Sequence, residues 1–186
     1  MQPEPASHNP RGPIRVAALD VDYRGDHAMA AALLLDDFDD PGPFPGREHV
    51  VRVAPIAAYE PGAFYLRELP CLLAVLAALR APPRAIIVDG YVWLSRERRG
   101  LGAHLYERLV PDQADVILIG VAKTAFHGND AALPLCRGGS ERPLFVTSAG
   151  LPVEDAVELI ARMPGPHRLP TALSRVDRLC REAGSR

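Results

Sequence analysis

The sequence predicts one α/β domain built on a mixed sheet, and three observations carry that expectation. At 186 residues, with 48% hydrophobic and 24% charged side chains, the chain suits a single globular core of ordinary size. Two apolar runs, Ile14 to Tyr23 and His27 to Leu35, flank the turn signal Arg24-Gly25-Asp26 and read as a hairpin. From Phe64 onward, leucines at helical spacing alternate with short, wholly apolar runs, the pattern of helices laid over strands buried on both faces.

In order, residues 1–13 are rich in proline and poor in apolar side chains, so a disordered tail is expected, with the folded domain over 14–186. After the hairpin, DDFDDPGPFPG cannot continue a sheet. It reads as a surface loop in which Asp36, Asp37, Asp39 and Asp40 are solvated. Glu48 to Ile56 is a third strand. Phe64 to Leu79 is a helix, stopped by Pro82-Pro83, and Ala85 to Asp89 is a short buried strand. Helix Leu101 to Leu109 and strands Asp115 to Val121 and Leu144 to Ser148 follow. An amphipathic helix, Pro152 to Met163, has proline in its first turn, and Leu173 to Ala183 closes the chain as a helix. A three-strand meander followed by alternating helices and strands is the ribonuclease H-like topology. Its first and fourth strands lie parallel and central, which would set Asp20 beside Asp89 at one edge of the sheet.

A carboxylate ending a buried strand is costly unless something uses or neutralises it. Asp20 ends IRVAALD, Asp89 ends AIIVD, and Glu68 lies between them in sequence. Converged, the three would make an oxygen-ligand site for Mg2+, with Mn2+ as a substitute, and so a candidate phosphodiester-cleaving centre. The net charge of −2 gives no overall attraction to nucleic acid, so such a partner needs a local patch. Arg96, Arg98 and Arg99, or Arg168, Arg175, Arg178 and Arg181, are the candidates, against a reading as solvated faces. Cys71, Cys136 and Cys180 form no CxxC pair and suit neither a disulfide framework nor a zinc site. LLAVLAAL and VILIGVA are too short to span a bilayer and the first residues lack a signal-peptide core. The expectation is a cytoplasmic monomer with no membrane partner.

These segments, taken in order, resemble the endonuclease V family, the deoxyinosine 3′ endonucleases, from about Val16 to Asp177. ALDVDY resembles the first-strand motif, with Asp20 as metal ligand. YEPGAFYLRELP resembles the Tyr-x-Pro-Gly…Arg-Glu segment, with Glu68 as ligand, and IIVDG carries Asp89 at the third ligand position. LGAHL resembles a helix start that would bring His104 near the site, where it would orient a water or phosphate oxygen; a plain helix-face histidine is the alternative. IGVAK resembles the strand delivering an active-site lysine, Lys123. RLPTALSRVDRL resembles the C-terminal helix, with Asp177 as a further ligand or a surface acid.

The resemblance implies an Mg2+-dependent endonuclease of nucleic-acid repair. It would hydrolyse the second phosphodiester 3′ to inosine in DNA or RNA and leave 3′-hydroxyl and 5′-phosphate ends. It also implies nucleic-acid contacts at Tyr59, Pro61, Gly62, Gly90 and Tyr91, with Tyr91 and Trp93 as walls of a base pocket or as packing residues. The chain departs from the family where the lesion is read. Ala58 and Glu60 alter the Pro-Tyr-x-Pro wedge. Asp89-Gly90-Tyr91-Val92 replaces Asp-Gly-His-Gly, and Ala149-Gly150-Leu151 replaces a Gly-His pair. A family member with a changed substrate, or a non-catalytic nucleic-acid or partner-binding protein, is therefore the alternative reading.

Overall fold

The computed structural model describes residues 15–58 and 64–183. Its elements run β1 (Val16–Arg24), β2 (His27–Leu35), β3 (Glu48–Val53), α1 (Phe64–Ala77), β4 (Ala85–Asp89), α2 (Leu101–Leu109), β5 (Ile117–Ala122), β6 (Leu133–Leu135), β7 (Leu144–Ala149), α3 (Val153–Arg162) and α4 (Thr171–Ala183). They form a seven-stranded mixed sheet in the order β3-β2-β1-β4-β5-β7-β6. β1, β2 and β3 are the antiparallel meander. β4 returns parallel to β1, in register from Val16 with Ala85 to Leu19 with Val88, and β5 is parallel to β4. β7 and β6 complete the far edge antiparallel.

Strand alternation sorts the core into two layers. Val16 and Ala18 of β1 and Ala85 and Ile87 of β4 pack with Ala156 and Ile160 of α3 and Val176 and Cys180 of α4. Ala17, Leu19, Ile86 and Val88 pack on the other face with Leu72 and Val75 of α1 and Ala103 and Leu105 of α2. The central strands are covered on both sides, which is why they read as continuous apolar runs. Arg175 of α4 grips Glu48 of β3 with two hydrogen bonds, Nε to Oε1 at 2.6 Å and Nη2 to Oε2 at 3.0 Å, and so fastens the α4 layer to the sheet edge.

Several element ends differ from the sequence expectation by one to three residues, and one short strand, β6, is not among those expected; three departures have a clear physical setting. β3 stops at Val53 instead of Ile56, because Pro55 has no N–H for the ladder. β6 is three residues, Leu-Pro-Leu, too short to show alternation; its proline is tolerated at a sheet edge. α4 begins at Thr171, directly after Pro170, two residues before the expected Leu173. Ile14 and residues 1–13 lie outside the described residues. No described helix is long and apolar enough to cross a membrane.

Candidate active site

Asp20 and Asp89 each stand one residue past the last registered pair of β1 and β4, Leu19 with Val88. Each continues the alternation of Ala18 and Ile87, so both face the α4 layer at the carboxyl edge of the sheet. Asp20, Asp89, Lys123 and Asp177 line one small cleft there, over Leu169, Leu173 and Val176. Glu68 approaches the same edge from α1, on the opposite face. It lines a second, larger cleft with Phe64, Tyr65, Tyr91, Arg99 and again Asp89. Asp89 is thus shared by both clefts.

The acids feel one another. Burial pushes the Glu68 carboxyl up to about 8, and the charges of Asp20 and Asp89 add to the effect. Asp20 is pushed up to about 6, first by burial; the Val21 N–H, which donates to Oδ1 at 2.9 Å, pulls the other way, and Asp89 and Asp177 raise it further. The Cys180 thiol, 3.6 Å from Asp20 Oδ2, is driven up by burial and then by Asp20. Asp177 is held by Arg181 at 2.6 Å, one turn further along α4. Among the described residues no three acidic, histidine or cysteine side chains close on one point as a finished metal cage. Asp89 is turned toward Lys123, whose Nζ donates to its Oδ2 at 2.6 Å.

Lys123 is the only lysine among 21 basic residues of the chain. Burial pulls its pKa down, but the hydrogen bond and charge of Asp89, with Asp177 and Asp20 behind, outweigh it and the net shift is upward. Its carbonyl accepts from Arg168 Nη2, which also donates to Pro143 O at 2.6 Å. Arg168 is thus a backbone brace and not part of an open basic patch, contrary to one reading of the sequence. Arg175 is likewise committed to Glu48 and Glu182. Of the other arginine set, Arg99 pairs with Glu107 at 2.6 Å, Arg96 lies 3.7 Å from Asp130, and Arg98 stacks over the Phe126 ring at 5.6 Å.

His104 is not among the lining residues of either cleft. Its ring stacks on Tyr65 with centroids 3.7 Å apart and 10° between planes, and burial lowers its pKa. Gly90 has φ +117, a conformation side chains disfavour, so the residue after Asp89 has to be glycine. Tyr91 and Trp93 are both hydrogen-bonded to backbone, Tyr91 Oη to Thr124 O at 2.6 Å and Trp93 Nε1 to Ser148 O at 3.0 Å. Tyr59, Pro61 and Gly62 lie outside the described residues. Sequence reasoning missed Cys180 against Asp20, the Arg168 brace and the stack of Tyr65 on His104. Each depends on a contact between distant segments that no local pattern announces.

A family model described as endonuclease V matches residues 3–150. Endonuclease V of Streptomyces coelicolor is 33% identical over 199 residues, covering 94% of this chain and 81% of that protein. The crystal structure of endonuclease V from Streptomyces avermitilis superposes with a TM-score of 0.70 at 28% identity, over 94% of this chain and 83% of the other. Endonuclease V of Ciona intestinalis, solved with a 23mer DNA containing an inosine followed by a ribo-adenosine, gives a TM-score of 0.75 at 17% identity, over 92% and 85% of the two chains, and so shares the fold. The chain belongs to the endonuclease V family.

Proposed function

We propose that the chain is a divalent-metal-dependent endonuclease that hydrolyses a phosphodiester 3′ to inosine in a DNA or RNA strand. One observation carries the reading: Asp20, Glu68, Asp89 and Asp177 gather at one sheet edge, where burial first and one another's charges second raise Asp20 to about 6 and Glu68 to about 8. The donor set fits a hard divalent cation such as Mg2+ or Mn2+, being all oxygen and electrostatically unsatisfied. Asp20, Glu68 and Asp89 would hold the ion, with Asp177 behind Asp20. Bound there, it supplies the Lewis acidity that phosphodiester hydrolysis needs.

The chain's own groups do the rest. The Lys123 ammonium steadies Asp89 and presents a compact positive charge to a phosphate oxygen. The cleft walled by Phe64, Tyr65 and Tyr91 offers aromatic faces for an unstacked base, and Arg99 stands on its rim. Inosine is the base to test first, since it is what the Ciona relative was solved with. Incubation of inosine-bearing DNA and RNA strands with Mg2+ or Mn2+ should yield nicks with 3′-hydroxyl and 5′-phosphate ends, and Asp89→Ala should yield none. Intact inosine strands under both metals would refute the assignment.

A second reading has its own support. Val92 replaces the second glycine of the family loop, is fully buried, and donates its N–H to Thr147 Oγ1 at 2.8 Å. That leaves less room beside Asp89 for a base, so a family nuclease with another substrate follows. Parallel digestion of mismatched, flapped and structured RNA substrates separates the two readings.

A further inference from the structure

We propose that Tyr91 is a positioning residue, whose hydroxyl straps the segment after Asp89 to the segment after Lys123 and so holds that pair in register at the cleft. The inference rests on the nuclease reading of the acids, and it concerns a residue that differs from the family's histidine at the same place in the loop.

The segment after Asp89 is immobilised at its backbone. The Gly90 N–H donates to Val121 O at 3.1 Å, the Val92 N–H to Thr147 Oγ1 at 2.8 Å, and the Gly100 N–H to Val92 O at 2.8 Å. It lies so close on β5 that a Cβ on Gly120 would stand 2.6 Å from Gly90 O. From this fixed base the Tyr91 side chain reaches across to the next loop. Its hydroxyl donates to Thr124 O at 2.6 Å and accepts from the Phe126 N–H at 3.0 Å. Those groups flank Ala125, so one hydroxyl closes the backbone on both sides of it. The Lys123 carbonyl is received by Arg168 on the other side. Lys123 therefore sits between two braces, and its ammonium meets Asp89 Oδ2 at 2.6 Å.

Packing alone does not account for the hydroxyl. The Tyr91 ring meets Phe126 edge-on at 6.2 Å, and a phenylalanine would keep that contact. The two hydrogen bonds are what tyrosine adds. Fixing a charged group within a fraction of an ångström of its working place is how a scaffold supports chemistry it does not itself perform.

The test uses the whole protein with Tyr91→Phe. Lys123 is the sole lysine, so amine acylation read by mass spectrometry reports its freedom directly, with the amino terminus as internal reference. Loss of the strap should speed Lys123 acylation several-fold in metal-free protein and raise amide exchange at Phe126. On an inosine strand with Mg2+, kcat should fall about tenfold, the equivalent of one to two lost hydrogen bonds, with KM and the melting temperature little changed. Wild-type rates of acylation and exchange would overturn the proposal. So would a loss of activity that merely follows a lowered melting temperature. If the wild-type protein cuts no inosine strand, the acylation and exchange arms still decide the strap, and only the nuclease reading falls.

Discussion

Replacing Glu68 by Gln should stabilise the metal-free protein while disabling it. In the folded chain this carboxyl rises from its ordinary 4.5 to about 8, first through burial and then through Asp20 and Asp89. Glu68 thus holds its proton more tightly folded than unfolded. The stability this contributes is fully present below about pH 4.5 and is lost as the pH climbs through about 8. At roughly 1.4 kcal/mol for each pH unit, the displacement sets a ceiling of about 5 kcal/mol on the penalty of ionisation. Relaxation and water entry remove about half of such a penalty in real proteins, leaving roughly 2 kcal/mol. A neutral amide of the same shape escapes that penalty, so Glu68→Gln should melt about 4–8 °C above wild type at pH 9.

At pH 5 both side chains are neutral when folded, and the two proteins should melt together. Thermal melts at pH 5, 7 and 9 in chelator measure the effect. Adding Mn2+ at pH 8 should reverse the order, because only the carboxylate gains from the ion and binding to the native state alone raises the transition. A variant that melts with wild type at pH 9, or that gains as much from Mn2+, would refute the reasoning.

Asp89→Ala should abolish nicking with either metal but lower stability by less than about 1 kcal/mol, because its ion pair with Lys123 is exposed; activity and melting measured on one preparation check this. Arg175→Ala should cost about 1–2 kcal/mol by removing the two-pronged hold on Glu48 while sparing nicking, as urea titration and a cleavage assay would show. Gly120→Ala should cut activity more than about tenfold and lower the melting temperature, since the new Cβ meets Gly90 O at 2.6 Å and Val92 N at 2.7 Å, both backbone atoms that hold the Asp89 loop.

How much of this was legible in the sequence follows from the range of each interaction. Asp20 and Asp89 were readable because a charge at the end of an apolar run is a local anomaly, and the ribonuclease H-like strand order then placed their strands side by side. The parallel register of Leu19 with Val88 is what that reasoning required. The arginines were not readable. Pattern cannot say that Arg175 finds Glu48, 127 residues away, or that Arg168 turns its fork inward onto Lys123 O and Pro143 O. His104 could not be placed from its sequence neighbours, because the ring of Tyr65, on another helix, is the flat partner on which it stacks. Cys180 drew no attention as one of three unpaired cysteines, yet it lies against Asp20.

The use of basic residues sharpens the difference between the parts that would cut and the parts that would read. Wherever this chain needs a cation with directional donors it uses arginine. Arg137 alone donates to four carbonyls, at His167, Arg168, Met163 and Gly165. A guanidinium is a rigid fork that grips oxygen pairs and keeps its charge; an ammonium is a compact point charge on a flexible stem. With twenty arginines available as the pattern, the single lysine stands against Asp89. There a forked cation would grip the carboxylate with two donors and compete for both of its oxygens, whereas one ammonium contact leaves the other free for a cation. That choice belongs to the proposed cutting apparatus, carried on β1, α1, β4 and the end of β5. Tyr91, Val92 and Phe126, the residues that shape what lies beside it, belong to the loops that follow those strands, and these depart from the family pattern at Tyr91 and Val92. Loops tolerate substitution because the scaffold does not need them for its core. On the proposed reading, the division would account for a chain that holds Asp20, Glu68 and Asp89 at one sheet edge while altering the surface that would choose among bases.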